Sequence, residues 1–368
     1  MKPKLLVTTD CFLPRWDGIS RFLSELLPSL TKQYKVTVIA PKFPGKLKQF
    51  KGVKIIRLHL IPIKFGDIYF AHVNQKIIRE AVQKTDLIFN QTVGPIGMTA
   101  IKTAHKQKKP VISYVHNIEW ELSSKAVKHF QGLVYHIVKR TARKYYNKCS
   151  LLIVPSDEVG KILSANEIKT RKITTPIGVD PSKFKPAESK NKAKKKIKLN
   201  PKNTIIGFSG RIGREKDIPT LLQAFEKLKQ KNLKLLIVGT GINIQTGKNT
   251  IQTGATNNVL KYLQALDIFA HASLTETNSL STMEAMSCEL PVVVTPTGSI
   301  AGYVKHGKNG LLFPRRNAKA MQKQLEKLIK SKKLRQKLGK QARKTIIKEH
   351  NWKTTEKNIL KTLKEFRH

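Results

Sequence analysis

The stretch IFAHASLTETNSLSTMEAMSCELPVVV, residues Ile268–Val294, decides how the chain is read. It opens on a short apolar run, Ile268–Ala270, that reads as a strand, and passes into a polar loop holding Glu276. A helical pattern follows over Ser279–Met286, and Pro291–Val294 reads as the next strand. Strand, helix and strand in so short a space describe a βαβ unit, in which the helix crosses over a parallel sheet.

The alternation extends in both directions. Towards the C-terminus a helical tail covers Asn317 to Phe366. Upstream lie strands at Thr204–Phe208 and Leu233–Val238, with a helix at Ile218–Leu228. The first half repeats the pattern. Lys4–Thr9, Lys35–Ile39, Leu87–Phe89, Val111–Val115 and Leu151–Val154 read as strands. Helical stretches run over Ile19–Leu30, Val73–Lys84, Ile96–His105 and Ser124–Lys148. Between the halves, Pro176–Asn200 carries prolines and the run KNKAKKKIK, and reads as a linker. The expected fold class is α/β, with two Rossmann-like doubly wound lobes facing a central cleft. The divisions are 1–178 for the N-terminal lobe, 179–202 for the linker, 203–350 for the C-terminal lobe and 351–368 for a closing helix. In such sheets ligands sit beyond the carboxyl ends of the strands, so the loops after strands carry the chemistry.

Bulk composition narrows the class. Hydrophobic residues make up 40% and charged residues 26% of the 368, which is globular and not disordered. Cys11, Cys149 and Cys288 are far apart with no CxxC spacing, which argues against a disulfide framework or a thiolate metal site. No segment approaches the ~20 apolar residues of a spanning helix. The expectation is a cytoplasmic protein whose membrane contact is peripheral, at the inner face. The charge is extreme: 70 lysines and arginines stand against 24 carboxylates, a net of +46. Residues 1–180 contribute +19 and residues 181–368 contribute +27, so the excess is no mere tail. It is either an attraction to anionic surfaces or a property of the source proteome.

Three loops look chemical. DCFLPRWDGIS after the first strand ends at Gly18 as a helix begins, where backbone N–H groups can approach an anion. The corresponding loop of the second half, Ser209–Asp217 (SGRIGREKD), offers Gly210, a bidentate Arg211 and the point charge of Lys216. Asp217 is placed to cap the next helix and Pro219 suits its first turn. The third loop holds Glu276. An anion on the amides of Asn278, Ser279 and Leu280 would have Glu276 at the helix mouth and Glu284 roughly 7–8 Å further along. Ser281-Thr282-Met283-Glu284 is equally a capping-box pattern, which would make Glu284 a helix-terminus residue only. Spacing leaves both readings open.

Glu276 and Glu284 in ETNSLSTMEAMSCELPVVV resemble the signature of retaining family-4 (group 1) glycosyltransferases of the GT-B fold. GFSGRIGREKDIPTLLQAF resembles their diphosphate-binding loop and helix. VPSDEVGKIL, TPIGVDPSKF, HGKNGLLFP and His350-Asn351-Trp352 resemble further landmarks in order along nearly the whole chain. The resemblance implies a hexosyl group moved from a nucleotide-diphosphate sugar, UDP- or GDP-linked, to an acceptor hydroxyl with retention. It implies no metal and no resident cofactor. Arg211 and Lys216 would hold the diphosphate, Glu276 the donor-sugar hydroxyls and Glu284 the ribose. His116, in VISYVHNIEW, matches the family histidine near the donor hexose, and a C-terminal helix would cross back to the first lobe. Asp17 stands where the family's Gly-Gly loop has its first glycine, and Glu289 where a glycine is usual. The segment between Gly241 and Gly254 is short, and TGSIAGYVKHG lacks an acidic residue many relatives carry.

For the acceptor, Lys125–Arg140 places Ala126, Val127, Phe130, Leu133, Val134, Ile137 and Val138 at helical spacing, with Lys125, Lys128, Lys139 and Arg140 around them. Such a stripe suits a membrane-surface helix or a helix packed on its own sheet. With the net charge it points to a lipid-linked acceptor at an anionic membrane, a membrane glycolipid precursor. A polysaccharide or soluble glycoside is the alternative acceptor. Two other classes compete: a nucleic-acid-binding protein, which lacks any zinc-finger, RNP-like or basic recognition-helix motif here, and a catalytically silent partner subunit.

Overall fold

The computed structural model describes residues 2–366 apart from Trp16, Leu47, Gly66, Asp67, Lys128 and Thr277. Lys128, expected on the basic rim, and the last two residues of the closing-helix span therefore lie outside the described residues. The chain divides into two compact units, Met1–Pro176 with Glu356–His368, and Ile177–Thr355.

Among the described residues the first unit holds nine strands. They are β1 (Lys4–Thr8), β2 (Lys35–Pro41), β3 (Val53–Leu58), β4 (Leu60–Phe65), β5 (Ile68–Ala71), β6 (Leu87–Asn90), β7 (Val111–Tyr114), β8 (Leu151–Val154) and β9 (Lys172–Thr174). Its helices are α1 (Gly18–Gln33), α2 (Gln75–Gln83), α3 (Pro95–Lys106), α4 (Glu119–Ala126), α5 (Gln131–Tyr146) and α6 (Asp157–Ala165). Seven strands form a parallel sheet in the order β3-β2-β1-β6-β7-β8-β9, and β4 pairs antiparallel with β5 as a separate hairpin. The single helix expected over Ser124–Lys148 is two. α4 ends at Ala126, and the chain turns through a left-handed Phe130 (φ 58°) before α5 begins.

The second unit carries α7 (Lys190–Lys196), β10 (Thr204–Ser209), α8 (Ile218–Glu226), β11 (Leu233–Val238), β12 (Thr250–Gln252), α9 (Val259–Leu263), β13 (Ile268–His271) and α10 (Leu280–Ser287). It continues with β14 (Val292–Val294), α11 (Ile300–Tyr303), β15 (Leu311–Leu312), α12 (Ala318–Lys330), α13 (Lys332–Glu349) and α14 (Trp352–Glu365). The last turns of α14 are counted with the first unit, where Ser29 Oγ donates to Glu356 Oε1 at 2.8 Å. The sheet is parallel throughout, in the order β12-β11-β10-β13-β14-β15. Alternate residues supply opposite faces. Leu236 and Val238 pack with Phe269 and Val292 in one cluster, while Leu235 and Ile237 pack with Ile268 and Val293 in another. Both faces are covered, which is why these strands read as unbroken apolar runs.

The expected linker at 179–202 is no linker. Val179 and Phe184 are core residues of the second unit. In the lysine run Lys194 is only 5% exposed, because its ammonium pairs with Asp267 at 2.7 Å and donates to the Asn203 carbonyl. A buried alkyl stem beneath a satisfied charge makes a polar sequence part of the core.

Candidate functional site

In the second sheet the chain runs outward in one direction from β10 to β12, then returns to the other side of β10 with β13. The order reverses between β10 and β13, and ligands of open parallel sheets sit off the strand ends at that point. The loops there are 210–217 and 272–279, the two that hold Gly210, Arg211, Lys216, Glu276, Asn278 and Ser279.

Gly210 has φ +146°, a conformation that a side chain resists. Gly239, after β11, lets that loop close on it, since a Cβ there would stand 1.9 Å from the Gly210 carbonyl oxygen. The chain then forms a single 3₁₀ turn, Arg214–Lys216, and enters α8 through Asp217. The expected cap is different in detail. Asp217 is left-handed (φ 48°) and its carboxylate accepts from the Thr220 hydroxyl at 2.7 Å, not from the helix amides. The Glu215 carbonyl accepts from Leu274 N at 2.8 Å and lies 2.9 Å from Ser273 Oγ, so the loops after β10 and β13 are sewn together.

At this seam the Lys216 ammonium pairs directly with the Glu276 carboxylate. The same Glu276 Oε1 lies 3.1 Å from Ser273 Oγ and 3.3 Å from His271 Nε2. Burial would raise the Glu276 pKa, but the lysine, the histidine and the hydrogen bonds outweigh it and hold the carboxyl below its usual value. His271 is 1% exposed, and its Nδ1 stands 3.2 Å from Ser279 Oγ and 3.3 Å from Thr282 Oγ1. Burial pushes its pKa down to about 4, leaving a neutral ring packed between the Glu276 carboxylate and the start of α10. Arg211 pairs with Glu215, one turn along its own loop.

α10 begins at Leu280, with Ser279 as its N-cap in a left-handed conformation (φ 46°) and no side-chain cap. Ser281 is thus inside the helix, and the capping-box reading of Ser281 to Glu284 fails. Glu284 is the fifth helical residue and 3% exposed. Asn278, just before the helix, is 6% exposed, yet neither Oδ1 nor Nδ2 has a hydrogen-bond partner among the described residues. Its carbonyl accepts from the Tyr303 hydroxyl at 3.0 Å, which fixes the backbone while leaving the amide uncommitted. An uncapped helix N-terminus beside an unsatisfied buried amide suits a polar anion.

The residues singled out in the first unit are placed differently. Gly18 is the first residue of α1, exposed, and the helix N-terminus is already occupied: Asp17 accepts from Ser20 N at 2.8 Å. The aspartate where the family usually has glycine thus caps one amide of the first turn. His116 is 9% exposed, lies 3.0 Å through Nε2 from Gln91 Oε1 and packs against Phe22 and Tyr114. Burial pushes its pKa down to about 3, so near neutrality it is an uncharged hydrogen-bonding group. Glu289, the other departure from glycine, sits at φ 59°, and residues 241–249 form no helix.

The sequence model for group 1 glycosyl transferases matches residues 189–345, and that for glycosyltransferase family 4 matches residues 16–183. The chain belongs to the family-4, group 1 glycosyltransferases. Among curated proteins, this glycosyltransferase is 27% identical to an alpha-monoglucosyldiacylglycerol synthase of Streptococcus pneumoniae, over 77% of this chain and 69% of that one. It is 24% identical to the capsular polysaccharide biosynthesis glycosyltransferase CapM of Staphylococcus aureus, over 93% and 91%. Its fold is that of a sucrose-phosphate synthase from Thermosynechococcus elongatus, with TM-score 0.81 at 17% identity over 99% of both chains. It is also that of Anabaena HepE in complex with UDP-glucose, with TM-score 0.79 at 17% identity over 99% and 100%. The architecture is thus GT-B, with two Rossmann-like lobes.

His271, Ser273, Thr282, Tyr303 and Glu215 were not legible as site residues. Only His271 left a trace in the sequence, as a polar residue closing an otherwise apolar strand.

Proposed function

We propose that this glycosyltransferase moves a hexosyl group from a UDP- or GDP-linked sugar to a hydroxyl of a membrane glycolipid precursor, with retention of anomeric configuration and without a metal ion. The observation that carries the donor half is the contact of Lys216 with Glu276 beside the uncapped start of α10. In this reading the diphosphate lies on the amides of Asn278, Ser279 and Leu280. Lys216 and Arg211 leave their carboxylate partners to meet its oxygens. Charge builds on the diphosphate as the bond to the sugar breaks, so these cations stabilise the transition state more than the bound substrate.

Glu276, released from Lys216, accepts hydrogen bonds from the sugar hydroxyls, and Glu284 those of the ribose. Retention follows if the acceptor hydroxyl attacks the face that the diphosphate leaves, with a phosphate oxygen taking its proton. The family resemblance assigns His116 to the hexose; its neutrality fits a hydrogen bond, not charge stabilisation. No metal ligand set enters this account, because the cations on the diphosphate are side chains.

The lipid acceptor is supported by the net charge of +46 and by the diacylglycerol-glycolipid relative. The longer match to CapM favours a polysaccharide acceptor as the second reading. Incubation with a panel of nucleotide sugars and with lipid extract or polysaccharide primer, followed by mass analysis, separates them. A lipid one hexosyl unit heavier supports the first. Growth of the primer with no lipid product overturns it. The anomeric proton coupling of the product tests retention.

A further inference from the structure

Six large hydrophobic side chains are exposed among the described residues, and three share one corner: Phe130 (78%), Leu133 (59%) and Ile137 (55%). They start a stripe along α5. Phe130, Leu133, Ile137, Arg140 and Lys144 follow at spacings of three and four, and all five are exposed. The helix does not need this stripe for folding. Tyr135, Val138, Ala142 and Tyr146 already pack into the first unit's core, and at 100° per residue the two stripes lie about 165° apart. The exposed stripe is also graded, apolar at its N-terminal half and basic at its C-terminal half.

The surroundings say what covers it. From residue 122 to 156 the chain has no Asp or Glu and seven lysines and arginines. α5 starts with no side-chain cap, so the positive end of the helix lies beside the apolar residues. Phe130 holds a left-handed conformation that is unfavourable for a bulky residue, and the result is an outward-facing ring. A second copy of a chain with net charge +46 would be repelled. A nucleic acid could stack a base on Phe130, but a polyanionic backbone offers Leu133 and Ile137 no continuous apolar phase to enter, whereas a bilayer offers one to all three.

We propose that the corner between α4 and α5 seats this glycosyltransferase on an anionic bilayer. Phe130, Leu133 and Ile137 enter the boundary of the acyl chains, and Arg140 and Lys144 meet the headgroup phosphates. Phe130 and Lys144 are about 21 Å apart along the axis, so the helix enters obliquely, N-terminus first. This surface gives the lipid-acceptor reading its docking face and rests on that reading for its purpose, while the binding itself is measured without any sugar transfer.

Sedimentation of the full chain with phosphatidylcholine vesicles, with and without phosphatidylglycerol and at low and high salt, tests it. The wild type is expected to partition to the anionic vesicles and to lose affinity as salt rises. F130S/L133S/I137S should bind about tenfold less or weaker still, and R140E/K144E should lose the preference for anionic lipid. F130W emission should shift to the blue on anionic vesicles. Unchanged thermal melting of the variants excludes misfolding. The proposal is overturned if the triple variant sediments as the wild type does, or if the triple substitution abolishes self-association or RNA binding and leaves vesicle binding intact. Vesicle binding without glycosylation of any lipid would refute the acceptor reading alone. Lipid glycosylation indifferent to the triple substitution would refute the docking face alone.

Discussion

Lys216 and Glu276 are in direct contact although sixty positions separate them, because β10 and β13 are neighbours and each residue lies in the loop that leaves its strand. The contact keeps a buried carboxylate ionised without a ligand. It also stores a cation one rearrangement away from the start of α10. A donor that takes Lys216 onto its phosphates frees Glu276 for hydroxyl groups at the same moment.

K216A removes a cation from the leaving group, and turnover should fall by about 10²–10³-fold, the usual effect of deleting one preorganised donor. The lysine also lowers the Glu276 pKa, so the acid limb of the pH–rate profile should move to higher pH in K216A. Turnover at saturating donor checks the fall, and rates across pH at donor well below KM, which report the free enzyme with its pair intact, check the shift. A profile that does not move would mean that Glu276 is not the group titrating.

For Asn278 stability and binding should part company. Its buried amide has no partner among the described residues, so N278A should leave the melting temperature unchanged or raise it. The same change removes a polar contact offered to the donor, and the donor KM should rise several-fold. Calorimetry and steady-state kinetics on one preparation decide it. A fall in stability with an unchanged KM would make Asn278 a structural residue.

Asp17 should behave as a helix cap and nothing more. Loss of its bond to Ser20 N in D17A should cost about 1 kcal/mol, and D17G only a few tenths. If D17G instead tightens donor binding, an anion site lies at α1 after all.

Stability against pH follows from buried groups of opposite sign. His116 and His271 have folded pKa values of about 3 and about 4, below the ordinary 6.5. Between those values the unfolded chain binds more protons, so the stability they contribute is lost as pH falls below about 6.5. Glu119, buried and hydrogen-bonded by Tyr146, is raised by burial to about 7. It binds its proton in the folded state first, so its contribution is full at low pH and is lost as pH rises from about 4.5 to 7. The histidines' larger combined shift wins, and the wild type should melt at progressively lower temperature from pH 6.5 to 4.5. E119Q should steepen that fall and should gain relative to wild type above pH 7. Melting temperatures at four pH values test both signs.

Most strands of the two parallel sheets were legible, because buried parallel strands are short apolar runs whatever surrounds them. β3 was not read, since Val53–Leu58 is half-exposed and mixes Lys54 and Arg57 into its pattern. The break at Phe130 has no proline and rests on a single left-handed residue, which periodicity does not reveal. The lysine run at α7 looked solvated because burial of an alkyl stem is invisible in a charge count. At the donor site the pairing of Glu276 and Glu284 was open on spacing alone, and the observed start of α10 at Leu280 decides against the capping box. His271 sits between Glu276 and the Ser279 and Thr282 hydroxyls, with Nδ1 within hydrogen-bond reach of the hydroxyls, a tertiary relationship that no linear motif encodes.

In the proposed reaction the Lys216–Glu276 seam works on a nucleotide sugar. The most direct measurement is nucleoside diphosphate release from UDP- and GDP-sugars, with lipid acceptor present, by the wild type and by K216A/E276Q. The wild type should release diphosphate from one donor class, and the double variant should lose about 10²-fold or more of that rate. Equal release by both proteins, with both folded, would contradict it.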